Sequence, residues 1–351
     1  MPTDLLHDEQ LAQLERELQA SRDSEETNRT AFRQLRQELK EAYFKIEQQQ
    51  QKLETFARKL RSGRGADEAA PESGALPSRL ADLAHPENFG RWLISQTPQA
   101  ADPRRCPLPQ GETAARLEAL WARLPAWTQG TINSEDAGFL CRMIEEVRPE
   151  KIYEVGVASG ASSALILSTM AGYADPSRTW LHSHDIARLC YFDAAHGVGD
   201  ATREMVPEFT RNWELNLVST ALDVCREPNS RALFFVDANH DHPWPALDLI
   251  ALLPGLKAGD RVVLHDINLP TISEGKFPSY GVQYLFEDWL GERLVPDVAL
   301  ANIGAVTIPA DRRLVVESLV RTLARPWPLN TSAKGAHLAA CDKLFLNYLR
   351  T

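Results

Sequence analysis

From Ser134 to about Pro309 the chain alternates helical stretches with short apolar, strand-like runs, and few folds accommodate that pattern. Helix SEDAGFLCRMIEEVRP, with Ser134 as its expected N-cap and acids in its first turn, leads into strand KIYEVGV. Helix ASSALILSTM, strand TWLHSHDI, strand RALFFVD, helix WPALDLIALLPGL, strand RVVLHDI and a last strand near ANIGAVTIP follow. Between TWLHSHDI and RALFFVD a further strand is expected around LVSTALDVC. Alternation of this kind predicts an α/β fold, a doubly wound and mostly parallel sheet with helices on both faces. A ligand crevice then lies beyond the carboxyl ends of the strands.

The segment before this pattern differs in kind. Leu11 to Leu60 contains neither Gly nor Pro and repeats every seven residues. With Leu11 at position a, Leu18, Phe32, Leu39, Ile46, Leu53 and Leu60 fall at a, and Leu14, Leu35, Ala42 and Phe56 at d. Polar Ser21, Glu25 and Asn28 interrupt the seam where they can set register or strand number. Residues 1–64 are expected to be a coiled-coil helix through which the chain self-associates; a lone amphipathic helix folded back on the domain is the alternative. A Gly-, Pro- and Ala-rich linker over 65–85 follows, then a domain over 86–351 with a helical preface (ENFGRWLIS, TAARLEALWARL) and a C-terminal helical extension.

Charge and cysteine usage narrow the function. A formal charge of −10 without a basic stripe argues against a dedicated nucleic-acid binder. The polar N-terminus and the lack of any apolar run of about 18 residues predict neither a secretory leader nor an integral membrane segment. Five scattered cysteines without a CxxC pair suggest neither a disulfide framework nor a zinc site, and fit a cytoplasmic protein.

The chemistry starts at Glu154-Val155-Gly156-Val157-Ala158-Ser159-Gly160, where a strand turns into a helix. Gly156 and Gly160 permit a tight turn and close approach of main chain to ligand, and the next helix offers unpaired N–H groups. This turn resembles motif I of the class I, Rossmann-like S-adenosylmethionine-dependent methyltransferases; the G-x-G-x-x-G of a dinucleotide site is absent, because position 158 is Ala. The resemblance implies that Glu154, Gly156, Val157, Ser159 and Gly160 bind S-adenosylmethionine and that Asp185, at the next strand end, accepts bonds from the ribose.

A second set strengthens it. Strand FFVDANH ends in D-x-x-H (Asp237, His240), Lys257-Ala258-Gly259-Asp260 makes a turn, and the following strand ends in His265-Asp266. These parts are similar to the tail of methyltransferases acting on small molecules, over roughly residues 134 to 309. Asp237 and Asp266 should project from neighbouring strand ends into one crevice, two hard oxygen donors suited to Mg²⁺ or another divalent cation. In the catechol-type enzymes an Asn follows the second acid; here Ile267 does, and the nearest amide is Asn268. The resemblance assigns Asp237 to the cofactor and the chemistry, and His240 to deprotonation of the acceptor, for which an imidazole suits neutral pH. His265, alternating away from Asp266 on its strand, is expected to be structural, and His182 and His184 share a face without an identifiable partner.

Two long stretches, Asp185 to Arg231 and Asn268 to Tyr280, should wall the crevice, with Ser219 and Thr220 near the adenine. The leading expectation is O-methylation of a hydroxyl on a small molecule or sugar. A coiled-coil scaffold with an inactive methyltransferase-like domain is the alternative, and an NAD-dependent oxidoreductase is disfavoured by the glycine spacing.

Overall fold

A computed structural model describes residues 100–325 and 335–350. The coiled coil, the linker and the helix expected over ENFGRWLIS lie outside the described residues. The strands are β1 (Arg104–Cys106), β2 (Lys151–Val155), β3 (Leu181–Asp185), β4 (Trp213–Leu217), β5 (Ala232–Val236), β6 (Arg261–His265), β7 (Arg293–Pro296) and β8 (Ile303–Thr307). They form one sheet in the order β1-β7-β8-β6-β5-β2-β3-β4. Every pairing is parallel except those of β8, which runs antiparallel to β6 and β7.

The helices are α1 (Glu112–Trp121), α2 (Ser134–Val147), α3 (Ala161–Met170), α4 (Asp200–Met205), α5 (Trp244–Leu252), α6 (Leu269–Ile272), α7 (Gly281–Asp288), α8 (Arg312–Leu323) and α9 (Gly335–Arg350). The period of two along each strand divides the core in two. Tyr153, Phe234, Val262, Leu264 and Val306 pack against α5, α7, α8 and α9. Ile152, Leu181, Leu233, Phe235, Val263 and Ala305 pack on the other face against α1 to α4. Because both faces are covered, the strands read as apolar runs and not as alternating ones, as parallel sheets require. Among the described residues no helix is long and apolar enough to cross a membrane.

The chain winds from β2 to β3 in one direction and, after β4, returns to place β5 on the other side of β2. That reversal opens a crevice at the carboxyl ends of β2 and β5.

Two local expectations need correction. The N-cap of α2 is Asn133, whose side chain accepts from the backbone N–H of Glu135 and Asp136 at 2.9 Å each; Ser134 is already helical. The strand expected around LVSTALDVC lies earlier, at Trp213–Leu217, and Thr220 instead caps a short 3₁₀ turn over Ala221–Asp223. The last strand is where expected, and it runs antiparallel in the mostly parallel sheet. β1 and β7, three and four residues long, carry too little period-two pattern to stand out.

Candidate active site

The main chain leaves β2 in a sharp turn with left-handed φ at Gly156 (90°), Ala158 (47°) and Gly160 (91°). A Cβ on Gly156 would overlap the carbonyl of Asp237, and one on Gly160 would overlap the Thr202 hydroxyl and the Gly199 Cα. Both glycines let neighbouring main chain close against the turn, a tighter demand than the approach of a ligand read from the sequence.

Glu154 and Ser159 do not reach the crevice. Glu154 is fully buried beneath the turn, where Oε1 accepts from Ser162 (2.7 Å) and Oε2 accepts from Ser163 and Ser183 (2.5 Å each). Burial pushes its carboxyl up to about 7, against the opposing pull of the three hydroxyls. The sign follows: the folded state holds this proton between 4.5 and 7, so stability is full below 4.5 and declines as pH rises through 7. Glu154→Gln should abolish that decline, worth about 3 kcal/mol across the window. Urea midpoints at pH 5 and pH 8 that move in parallel for the two proteins would contradict it.

Above the turn lies a cavity of about 350 Å³, lined among others by Val155, Gly156, Val157, Asp185, Ser219 and Asp237. Trp244 and Asp248 of α5 line it as well. Asp185 binds the turn as well as facing the cavity: Oδ2 accepts from the N–H of Val157 (2.9 Å) and Ala158 (3.1 Å), and Oδ1 from Ala187 (2.7 Å). His184 Nδ1 lies 2.8 Å from Ser219 Oγ, which fixes the β4 side of the cavity. His182 lies 3.1 Å from Glu214 and stacks on Tyr153, away from the cavity.

At the other end, Asp237, His240 and Asp266 converge, their ligating atoms all within 4.8 Å of one another. His240 Nε2 lies 3.2 Å from Asp266 Oδ2 and 3.9 Å from Asp237 Oδ1. The His240 turn is held from outside, since its carbonyl accepts from Gly281 N (2.9 Å) and Asp241 Oδ1 accepts from Ser279 (2.6 Å).

His265, expected to be structural, belongs to this cluster. Its Nδ1 lies 3.1 Å from Asp237 Oδ1 and its Nε2 3.3 Å from Asp136 Oδ2. Alternation does send its ring to the α2 side, but the strand ends there: Asp266 has φ 63°, and its left-handed turn brings the carboxylate back beside the ring, 3.6 Å away. Burial alone would lower the His265 pKa, yet Asp237, Asp136 and Asp266 outweigh it and hold the ring protonated well above its ordinary range. Asp237 is in turn held below the usual carboxylate range, burial being outweighed by His265 and His240. Asn268 Nδ2 donates to the Ala301 carbonyl (2.6 Å), and Asn302 Nδ2 donates to Asp266 Oδ1 (2.6 Å). Asp136 and Asn302 were not legible as site residues, one reading as an ordinary first-turn acid and the other lying 36 residues beyond its partner.

Residues 153–267, the span from β2 through the Asp266 turn, match the family model of a methyltransferase domain. Among solved structures, this chain is similar to the O-methyltransferase TomG of Streptomyces achromogenes, involved in tomaymycin synthesis (17% identity, 57% of this chain and 92% of that one, TM-score 0.38). It is similar also to an O-methyltransferase of Bacillus cereus (16% identity, 57% and 92%, TM-score 0.37) and to the methyltransferase PaMTH1 of Podospora anserina (15%, 57% and 88%, TM-score 0.39). No curated protein matches it in sequence.

The cavity has the size of a small-molecule site, roughly 300–1,000 Å³, and combines an apolar wall with a few polar groups. Its acid cluster fits a divalent cation by donor type. Asp237 and Asp266 offer hard carboxylate oxygens of the kind Mg²⁺ or Mn²⁺ accepts, and their ligand atoms lie within 4.8 Å of each other.

Proposed function

We propose that this domain methylates a hydroxyl oxygen on a small molecule or sugar. The observation that carries the reading is the run of one cavity from the glycine turn to Asp237, beside which His240 and Asp266 stand. Bound S-adenosylmethionine supplies the methyl group as a sulfonium electrophile and leaves as S-adenosylhomocysteine.

The chain's own residues do the rest. The turn at Gly156 to Ala158, with Asp185 and Ser219, holds the nucleoside in the cavity. His240 takes the acceptor's hydroxyl proton on its imidazole, and Asp266, 3.2 Å away, stabilises the cation so formed. The Asp237 and Asp266 carboxylates orient the acceptor oxygen, directly or through Mg²⁺ or another divalent cation, which would lower the hydroxyl pKa. Tyr191 forms the acceptor side of the mouth: its ring is exposed while its hydroxyl is tucked against Gly130. Burial of that hydroxyl, and then the charges of Asp237 and Asp266, raise its pKa, so the phenol stays neutral at the mouth.

A built cavity leading to a proton acceptor favours catalysis over the scaffold alternative. The test is incubation of the full chain with methyl-labelled S-adenosylmethionine and a panel of catechols, glycosides and free sugars. Label in an O-methyl ether supports the proposal; label on nitrogen or sulfur, or on no acceptor in the panel, counts against it.

A further inference from the structure

Asp136 links the first turn of α2 to the site. The N-terminus of α2 is already capped by Asn133, yet Asp136 is 2% exposed, and its carboxylate is turned away from solvent towards the site. Its Oδ2 accepts from Asn133 Nδ2 at 2.7 Å and faces His265 Nε2 at 3.3 Å. Buried ion pairs of this kind add little net stability, because desolvation offsets their attraction. Orientation is the gain that remains.

The direction of the contacts shows what is oriented. His265 Nδ1 engages Asp237 through Oδ1, and Asn302 engages Asp266 through Oδ1. One oxygen of each acid is thus tied from behind, and Asp266 Oδ2 faces the His240 imidazole in front. We propose that Asn133, Asp136 and His265 form a positioning brace that anchors the catalytic acids to the first turn of α2 and holds Asp237 and Asp266 as a divalent-cation seat beside the His240 base. The inference rests on the reading of Asp237, Asp266 and His240 as the methyl-transfer centre.

Calorimetric titration of the full chain with Mn²⁺, and separately with S-adenosylhomocysteine, tests it. Wild type should bind one Mn²⁺, and Asp136→Ala should bind it about 10–100-fold more weakly, the usual effect of removing a group that orients a ligand. Asp136→Asn, whose amide oxygen still accepts from His265, should recover most of that loss. Affinity for S-adenosylhomocysteine should stay unchanged in both. Should Asp136→Ala fail to fold, His265→Gln takes its place, with weakened Mn²⁺ binding and normal S-adenosylhomocysteine binding expected.

Equal Mn²⁺ affinity in wild type and variants would overturn the brace, as would parallel loss of both ligands, the mark of a merely structural pair. If wild type binds S-adenosylhomocysteine but no Mn²⁺, the cation seat and its brace fall while the methyl-transfer reading stands. If wild type binds neither, that reading falls first.

Discussion

His240→Ala should lower methyl transfer by about 10²–10⁴-fold, the range for loss of a positioned general base, and leave S-adenosylhomocysteine affinity unchanged. The separation follows from geometry. His240 projects toward Asp266 from the turn after β5. Asp237, Ala238 and Asn239 of that turn line the cavity together with the β2 turn, the β3 end, the segment after β4 and α5, while His240 itself is not among the lining residues. Removing the imidazole deletes the proton acceptor without touching the nucleoside's contacts. The backbone of the turn should hold, because its bonds to Gly281 and Ser279 use the His240 carbonyl and the Asp241 side chain. Single-turnover transfer to the best acceptor, followed by mass spectrometry, reads the rate. A variant as fast as wild type would remove His240 from the chemistry.

Gly156→Ala should have the larger effect on the folded state. The residue has φ 90°, which an alanine adopts only with strain, and its Cβ would overlap the Asp237 carbonyl, main chain that cannot swing aside. We expect more than about 3 kcal/mol of destabilisation and loss of S-adenosylhomocysteine binding, since relief of the overlap must shift the end of β5 and with it Asp237. Gly259→Ala is the matched control: φ is 88° but nothing lies within 4 Å of the added carbon. Strain alone should cost it about 1 kcal/mol. Comparable urea midpoints for the two variants would show that the overlap is absorbed.

The sheet was legible because its central strands are buried on both faces and its turns carry their own chemistry. KIYEV, ALFFV and RVVLH are largely apolar runs ended by Gly156, Asp237 and Asp266, so their position and parallel direction followed from the helix–strand alternation. The edge was harder to read. β1 holds three residues, and β4, at the rim, mixes polar and apolar positions.

In the site, residues read from a strand-end motif did gather: Asp237, Asp266 and His240 converge, and Asp185 and Val157 face the cavity. Glu154 went elsewhere because Ser162, Ser163 and Ser183 offered it a buried cage. His265 turns to the α2 side as alternation predicts, but Asp266 comes back beside it. Period-two reasoning holds only while the backbone stays extended, and the chain turns left-handed at Asp266. Asp136 and Asn302 reach the centre from α2 and from the start of β8, and no local spacing reports a contact that only the packed sheet creates.

The most direct measurement is calorimetric titration of S-adenosylhomocysteine into the purified full chain. One molecule bound per chain by wild type and by His240→Ala, but not by Gly156→Ala, is the result expected of a nucleoside pocket built on the β2 turn. No heat of binding to folded wild type, or full affinity in folded Gly156→Ala, would contradict it.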